Sequence, residues 1–177
     1  LVASSPFVLV VHPSLPAKDL KAFVALARSM PHVLSYGSPG NGTQGHLMAE
    51  VFRQRAKIDI VHVPYKGAAI AVVDVVAGYL HSISTTLTTA SAQIRAGRVH
   101  ALAISSERRL ADYSGIPTFR ELGYRDVAGT VWFSLSGPAG MPADAVDRLN
   151  VEVRKILQLP DVRARLRPDG IEPNALD

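Results

Sequence analysis

A chain of 177 residues, 47% hydrophobic and 19% charged, suits one large domain or two small ones around a hydrophobic core, and this composition excludes a disordered polymer. The absence of cysteine excludes disulfide frameworks and thiolate metal sites, and no apolar run reaches the ~18 residues that span a bilayer. A net charge of +4 spread along the chain, with 6% aromatic residues to interleave, argues against a nucleic-acid partner.

The chain starts at Leu1 with no basic stretch before Phe7-Val8-Leu9-Val10-Val11, so it reads as the interior of a longer protein, and a signal peptide is neither seen nor denied. Phe7 to Val11 is apolar and β-branched, which predicts a buried strand ending at His12-Pro13. Leu20, Phe23, Val24 and Ala27 then mark a helix with one buried face. Val33 to Tyr36 predicts a short strand. From Thr43, a helix carries Leu47, Met48, Val51 and Phe52 on one face, with Glu50, Arg53 and Gln54 towards the other.

Ile58 to Val63 predicts the next strand, closed by Pro64-Tyr65-Lys66-Gly67. Ala68 to Leu80 reads as a helix buried on most sides, Ile83 to Leu87 as a strand, and Thr89 to Ala96 as a short helix closed by Gly97. Val99 to Ile104 is a strand and Ser105 to Ser114 a polar surface loop. Pro117 to Leu122 predicts a helical turn and Thr130 to Leu135 another strand, with Trp132 read as core. Val146, Leu149, Val153 and Ile156 define a long amphipathic helix, and Pro160 starts a shorter one through Arg167. The basic cluster of Arg154, Lys155, Arg163, Arg165 and Arg167 on these helices reads as a solvated face, and Asp169 to Asp177 shows no pattern. Alternating strands and helices imply an α/β protein with a mainly parallel sheet, divided in the loop-rich stretch around Ser114 to Gly129.

The stretch Tyr36 to His46 stands out. Gly37, Gly40, Gly42 and Gly45 permit backbone angles closed to other residues, and a helix starting near Thr43 turns its unpaired N–H groups and positive dipole end towards whatever lies over the loop. An anion suits that geometry, with His46 in the first turn as a further donor and Ser38 as a hydrogen-bond donor that has no sequence-visible base. Gly40 to Gly45 also matches G-x-G-x-x-G, which makes a dinucleotide-dependent enzyme the rival reading. That fold needs an acidic residue at the end of the following strand. Here Asp59 lies at its beginning and Tyr65-Lys66 at its end. No Gly-Lys-Ser/Thr phosphate loop, no G-x-S-x-G elbow and no i, i+4 histidine pair occurs. The other histidines read as surface or satisfied interior groups. Thr85, Thr86, Thr88 and Thr89 make a hydroxyl-rich strand end, a second candidate wall.

Five segments together resemble one family. They are Tyr36-Gly37-Ser38 through Thr43 to His46-Leu47, His62-Val63-Pro64-Tyr65-Lys66-Gly67, Ile94 to Gly97 with Ala101-Leu102-Ala103, Pro117-Thr118 with Glu121 and Gly123, and Trp132-Phe133 with Pro138-Ala139-Gly140 and Pro142. They are spaced as in the Bug family, the extracytoplasmic solute-binding proteins of tripartite tricarboxylate transporters. The resemblance implies a type II periplasmic binding protein that catches a small carboxylate between two lobes and hands it to membrane permease subunits, without catalysis, metal or organic cofactor. It places ligand contacts at Ser38, Gly40, Gly42, Thr43, His46, Tyr65 and Thr85.

The resemblance further implies that 7–124 form the second lobe and 125–177 part of the first, with the first lobe's own carboxylate loop lying outside this chain. Self-association through exposed strand edges is then expected. After Gly78 the family pattern has an acidic residue where this chain reads Thr85, which points to a plain carboxylate ligand rather than an amino acid. A carboxylate-sensing module within a larger receptor is a third reading.

Overall fold

The computed structural model describes residues 1–174. Its centre is β1 (Ala3–Val11), whose apolar run is buried on both faces. Side chains alternate along a strand, so Leu9 and Val11 enter one core while Val8 and Val10 enter the other. The first core lies under α1 (Leu20–Ser29) and α2 (Gln44–Ala56), where Phe23 stacks on Phe52. The second lies under α3 (Ala68–Val76) and α4 (Leu87–Arg95). At about 1.5–3 kcal/mol for each fully buried aliphatic or aromatic side chain, these two layers dominate the folding energy.

The main sheet has the order β3 (Val61–Pro64), β2 (Ser35–Ser38), β4 (Ser82–Thr86), β1, β5 (His100–Ile104). β2 is parallel to β3 and β4, and β1 is antiparallel to both β4 and β5. The other four strands therefore share one direction, the mainly parallel sheet the sequence implies.

β1 also starts a smaller sheet. Its residues Ala3 to Pro6 pair with β6 (Thr130–Phe133), and Ala3 and Ser4 pair with β7 (Glu172–Pro173). The changeover falls between Pro6, opposite Thr130, and Phe7, opposite Thr86. α5 (Ala143–Ile156) and α6 (Pro160–Leu166) accompany this second sheet.

Several expectations change. The second strand begins at Ser35, after exposed Val33. The helix after the glycine loop buries Gly45, Ala49, Phe52 and Ala56, while Leu47 is 53% exposed. Small residues against the sheet, more than large ones, set its inner face. α3 is not enclosed, since Ile70 and Val73 face outward. Pro117 to Leu122 makes the single helical turn expected, capped by Thr118 and Glu121 on each other's backbone N–H and closed by the Leu122 N–H on the Thr118 carbonyl before Gly123. Trp132 is 64% exposed, since nothing among the described residues covers that face of β6. The apolar stripe of α5 is uncovered as well, and with Leu1, Val2 and Leu135 it lines a groove of about 430 Å³. Arg167 pairs with Asp112 and Arg163 reaches the Leu157 carbonyl, so part of the basic cluster ties α6 down. Within the unpatterned tail, Glu172 and Pro173 form β7; 175–177 lie outside the described residues.

One buried hydroxyl secures the changeover. Ser105 Oγ accepts the Phe7 N–H at 2.8 Å and donates to the Gly129 carbonyl at 2.5 Å, while the Ser105 N–H donates to the Phe7 carbonyl at 2.9 Å. Ser105 is 2% exposed, so water does not replace these bonds. Ser105→Ala leaves a buried donor and a carbonyl without their side-chain partner, and urea unfolding is expected to show a loss of about 2–3 kcal/mol.

Candidate functional site

β2 delivers the chain to the glycine loop between two parallel neighbours. The Ser38 carbonyl accepts the Tyr65 N–H and the Pro39 carbonyl accepts the Gly67 N–H, both at 3.1 Å, which anchors the loop to the exit of β3. Within the loop, Thr43 Oγ1 donates to the Gly40 carbonyl at 2.7 Å and, as the cap of α2, accepts the His46 N–H at 3.5 Å. Ser38 Oγ lies 3.2 Å from the Gly40 nitrogen. Gly42 has φ +73°, a left-handed conformation that favours glycine. Asn41 and Gly42 are exposed, and the N–H groups of Gln44 and Gly45, in the first turn, have no acceptor within their own helix. The exposed tip of the loop thus lies at the positive end of α2, with the Gly42 N–H given to His46.

Gly45 sets how closely that end approaches the sheet. A Cβ there would lie 2.7 Å from the Ser84 carbonyl oxygen and 2.9 Å from Pro39 Cδ. The helix start therefore sits against β4, next to the end of β2. Gly45→Ala must push the loop off the sheet; chemical denaturation is expected to show a loss of about 1–3 kcal/mol.

Behind the loop three rings form a stack. Tyr36 lies against His62 with centroids 4.8 Å apart, and His62 against His46 at 4.2 Å. His62 Nε2 is 2.7 Å from Ser38 Oγ, and the Gly42 N–H donates to His46 Nδ1 at 3.1 Å. Tyr36 donates its hydroxyl proton to Glu50 Oε1 at 2.6 Å, and Glu50 is held by Arg53 at 2.8 Å. Burial and then Glu50 push the Tyr36 phenol far up. For Glu50, burial pulls upward but the hydrogen bonds from Arg53 and Tyr36 outweigh it, so its carboxyl sits below the ordinary value. Burial, followed by repulsion from His46, lowers His62, with Glu50 opposing.

Of the residues singled out from the sequence, Ser38, Gly40, Gly42, Thr43 and His46 come together in this loop. Tyr65 joins through its backbone, but its hydroxyl bonds Asp74 Oδ2 at 2.7 Å, and burial with that carboxylate pushes the phenol up to about 12. Thr85 is wholly buried on β4 opposite Val8, and its hydroxyl has no hydrogen-bond partner. Thr86 and Thr89 share a bond at 2.9 Å and Thr88 donates to Ser5, so the second wall is tied to itself and to β1. The remaining histidines have local partners: His12 with Ser14, His32 with Asp59, His81 with Ser35 and His100 with the Lys18 carbonyl.

The roles of Tyr36, His62, Glu50 and Arg53 were not legible in the sequence. His62 stands in register with Tyr36 across the parallel β2–β3 pair. Only that pairing, which no local pattern reveals, brings it to Ser38.

A mainly parallel sheet with a glycine loop at its strand ends is shared with solved periplasmic binding proteins. The model of the tripartite tricarboxylate transporter family receptor matches residues 1–177, and the chain belongs to that family. It is similar to the UPF0065 protein in the tcbD-tcbE intergenic region of Pseudomonas sp. (strain P51), at 35% identity over 97% of this chain and 52% of that protein. It thus spans about half of that relative's length.

Among solved structures, one described as a periplasmic transporter superposes with a TM-score of 0.94 at 36% identity, covering 99% of this chain and 58% of the other. R. palustris Rpa4515 with adipate gives 0.91 at 32%, covering 97% and 57%. MatC (Rpa3494) from Rhodopseudomonas palustris with bound malate gives 0.84 at 28%, covering 96% and 57%.

The lowered His62 links stability to pH. The unfolded chain accepts the proton at the ordinary histidine value while the folded chain resists it. The contribution is therefore full above about pH 6.5 and is lost as pH falls below it. In denaturant titrations, the stability difference between the native protein and His62→Gln is expected to narrow as the pH is lowered from 7 towards 5.5.

Proposed function

We propose that this chain captures a small organic carboxylate in the periplasm and presents it to the membrane permease subunits of a tripartite tricarboxylate transporter. The observation that carries the reading is the exposed glycine-loop tip at the positive end of α2, in a chain whose structural relatives hold adipate and malate. A carboxylate oxygen placed over Gly42 would accept from the N–H groups there, with Thr43 and His46 beside it, in charge-assisted bonds stronger than neutral ones. Ser38 and Gly40 shape the loop from within, since Ser38 is wholly buried. Tyr65 fixes the loop through its N–H, and Thr85, level with Pro39 if the β2–β4 register is carried on, backs it from β4.

In this reading 7–124 are one lobe and 125–177 belong to the other, with the changeover at Pro6–Phe7 as one of the crossings between them. The opposing wall of the cleft corresponds to the part of the relatives that this chain does not span. Self-association, if the chain shows it, would run through the exposed strand edges.

A thermal-shift screen tests the reading, because a ligand that binds only the native state raises the melting temperature, by about 2.7 kcal/mol of stability at a hundredfold excess over Kd. Adipate, malate or succinate is expected to raise it, and NAD or NADP to leave it unchanged. Succinate against aspartate in the same screen tests whether a plain carboxylate is preferred to an amino acid. Stabilisation by a dinucleotide alone overturns the carboxylate reading in favour of the G-x-G-x-x-G one.

A further inference from the structure

The bond from the Gly42 N–H to His46 Nδ1 fixes a protonation state. An N–H donates only to an unprotonated ring nitrogen, so His46 carries a lone pair at Nδ1 and its one proton at Nε2. The same bond occupies a donor at the exposed tip of the glycine loop. His46 Nδ1 and the Gly42 N–H thus satisfy each other, and Nε2–H is the ring's one donor.

The groups around the ring pair set what an anion would meet there. His62, on β3, stacks on His46 at 4.2 Å, and two imidazolium rings that close repel, so the pair holds at most one added proton. Burial disfavours that proton on His62, whose Nε2 is already engaged with Ser38. From β2, Tyr36 faces the stack with its hydroxyl committed to Glu50. From α2, Glu50 is neutralised by Arg53. The segment 37–43 and the strand β4 carry no ionisable side chain. A ligand carboxylate over Gly42 would therefore add a negative charge beside His46 on the side away from Glu50 and Arg53.

Resting on the carboxylate-binding reading above, we propose that binding takes up one proton at His46 Nδ1, which breaks the Gly42 bond and turns both groups into donors to the ligand. The proton comes from solvent and adds to the Nδ1 lone pair; no other bond changes. His46 is thus a proton-accepting ligand contact, and affinity for a fully ionised carboxylate rises as pH falls through the histidine range, by up to about tenfold per pH unit for one proton.

Nitrogen-15 NMR of the histidine rings in the 177-residue chain, with adipate and malate as probes near pH 7, tests this. Without probe, His46 Nδ1 is expected at the shift of an unprotonated nitrogen. At saturation it is expected to move to that of a protonated one, with the Gly42 amide proton shifting in step. If the loop amides respond to a probe while Nδ1 stays unprotonated, the proton-uptake proposal is wrong and the carboxylate reading stands. If no loop amide responds to either probe, the carboxylate reading itself fails. As a second readout, His46→Gln is expected to bind the same probe with an affinity that no longer varies across the histidine range. A variant that keeps the native pH dependence overturns the proposal.

Discussion

Everything in this molecule hangs on one strand that runs against its neighbours. β1 lies between β4 and β5, antiparallel to both, and supplies alternate side chains to both cores. A strand buried on both faces has no solvent side, which explains its unbroken apolar run after Pro6. It also carries the connection between the two sheets, and Ser105 makes that step compatible with burial. Where Pro6 offers no N–H and Phe7 changes partners, the hydroxyl of Ser105 closes the gap in the ladder.

The position of the glycine loop follows from this arrangement. Because β1 is the strand that opposes, β2 and β4 are left parallel and adjacent, and their carboxyl ends meet at one edge. In open α/β sheets that edge is where ligands bind, since the chain must turn there into helices whose positive ends converge. Gly45 makes the convergence tight by letting α2 start in contact with the Ser84 carbonyl. Pro39 closes the other side, so the loop's freedom is confined to Asn41 and Gly42 at its exposed tip.

Much of this was visible in the residues, and the failures have one cause. Leu20, Phe23, Val24 and Ala27 marked α1 correctly because an amphipathic surface helix must show its period locally. Thr43 marked the cap of α2 because capping chemistry is local too. What the sequence hid was set by distant partners. Ser4 to Pro6 have poor strand character and are extended only because β6 pairs with them. Leu47 looked like core because α2 was read by hydrophobicity, whereas its inner face needed small residues to approach the sheet. His62 had no pattern of its own, and its place beside Ser38 comes from the β2–β3 register. The glycine loop was legible as a donor array, while the ring stack behind it was not.

The loop reads charge without carrying any. No lysine or arginine lies between Gly37 and Thr43, and the nearest strong pair, Glu50 with Arg53, is already self-neutralised. An arginine clamp fixes a carboxylate by a bidentate fork and demands that geometry of every ligand. Backbone N–H groups at a helix start instead hold one oxygen or two over a small concave surface, so they recognise the carboxylate and leave the remainder of the molecule unread. On the proposed function, this half of the site would supply affinity for acids as a class. Discrimination between one acid and another would then rest on what faces the loop across the cleft and on the fit around the ligand's far end. On that proposal, one such loop would serve acids as different in length as the malate and adipate that two structural relatives hold.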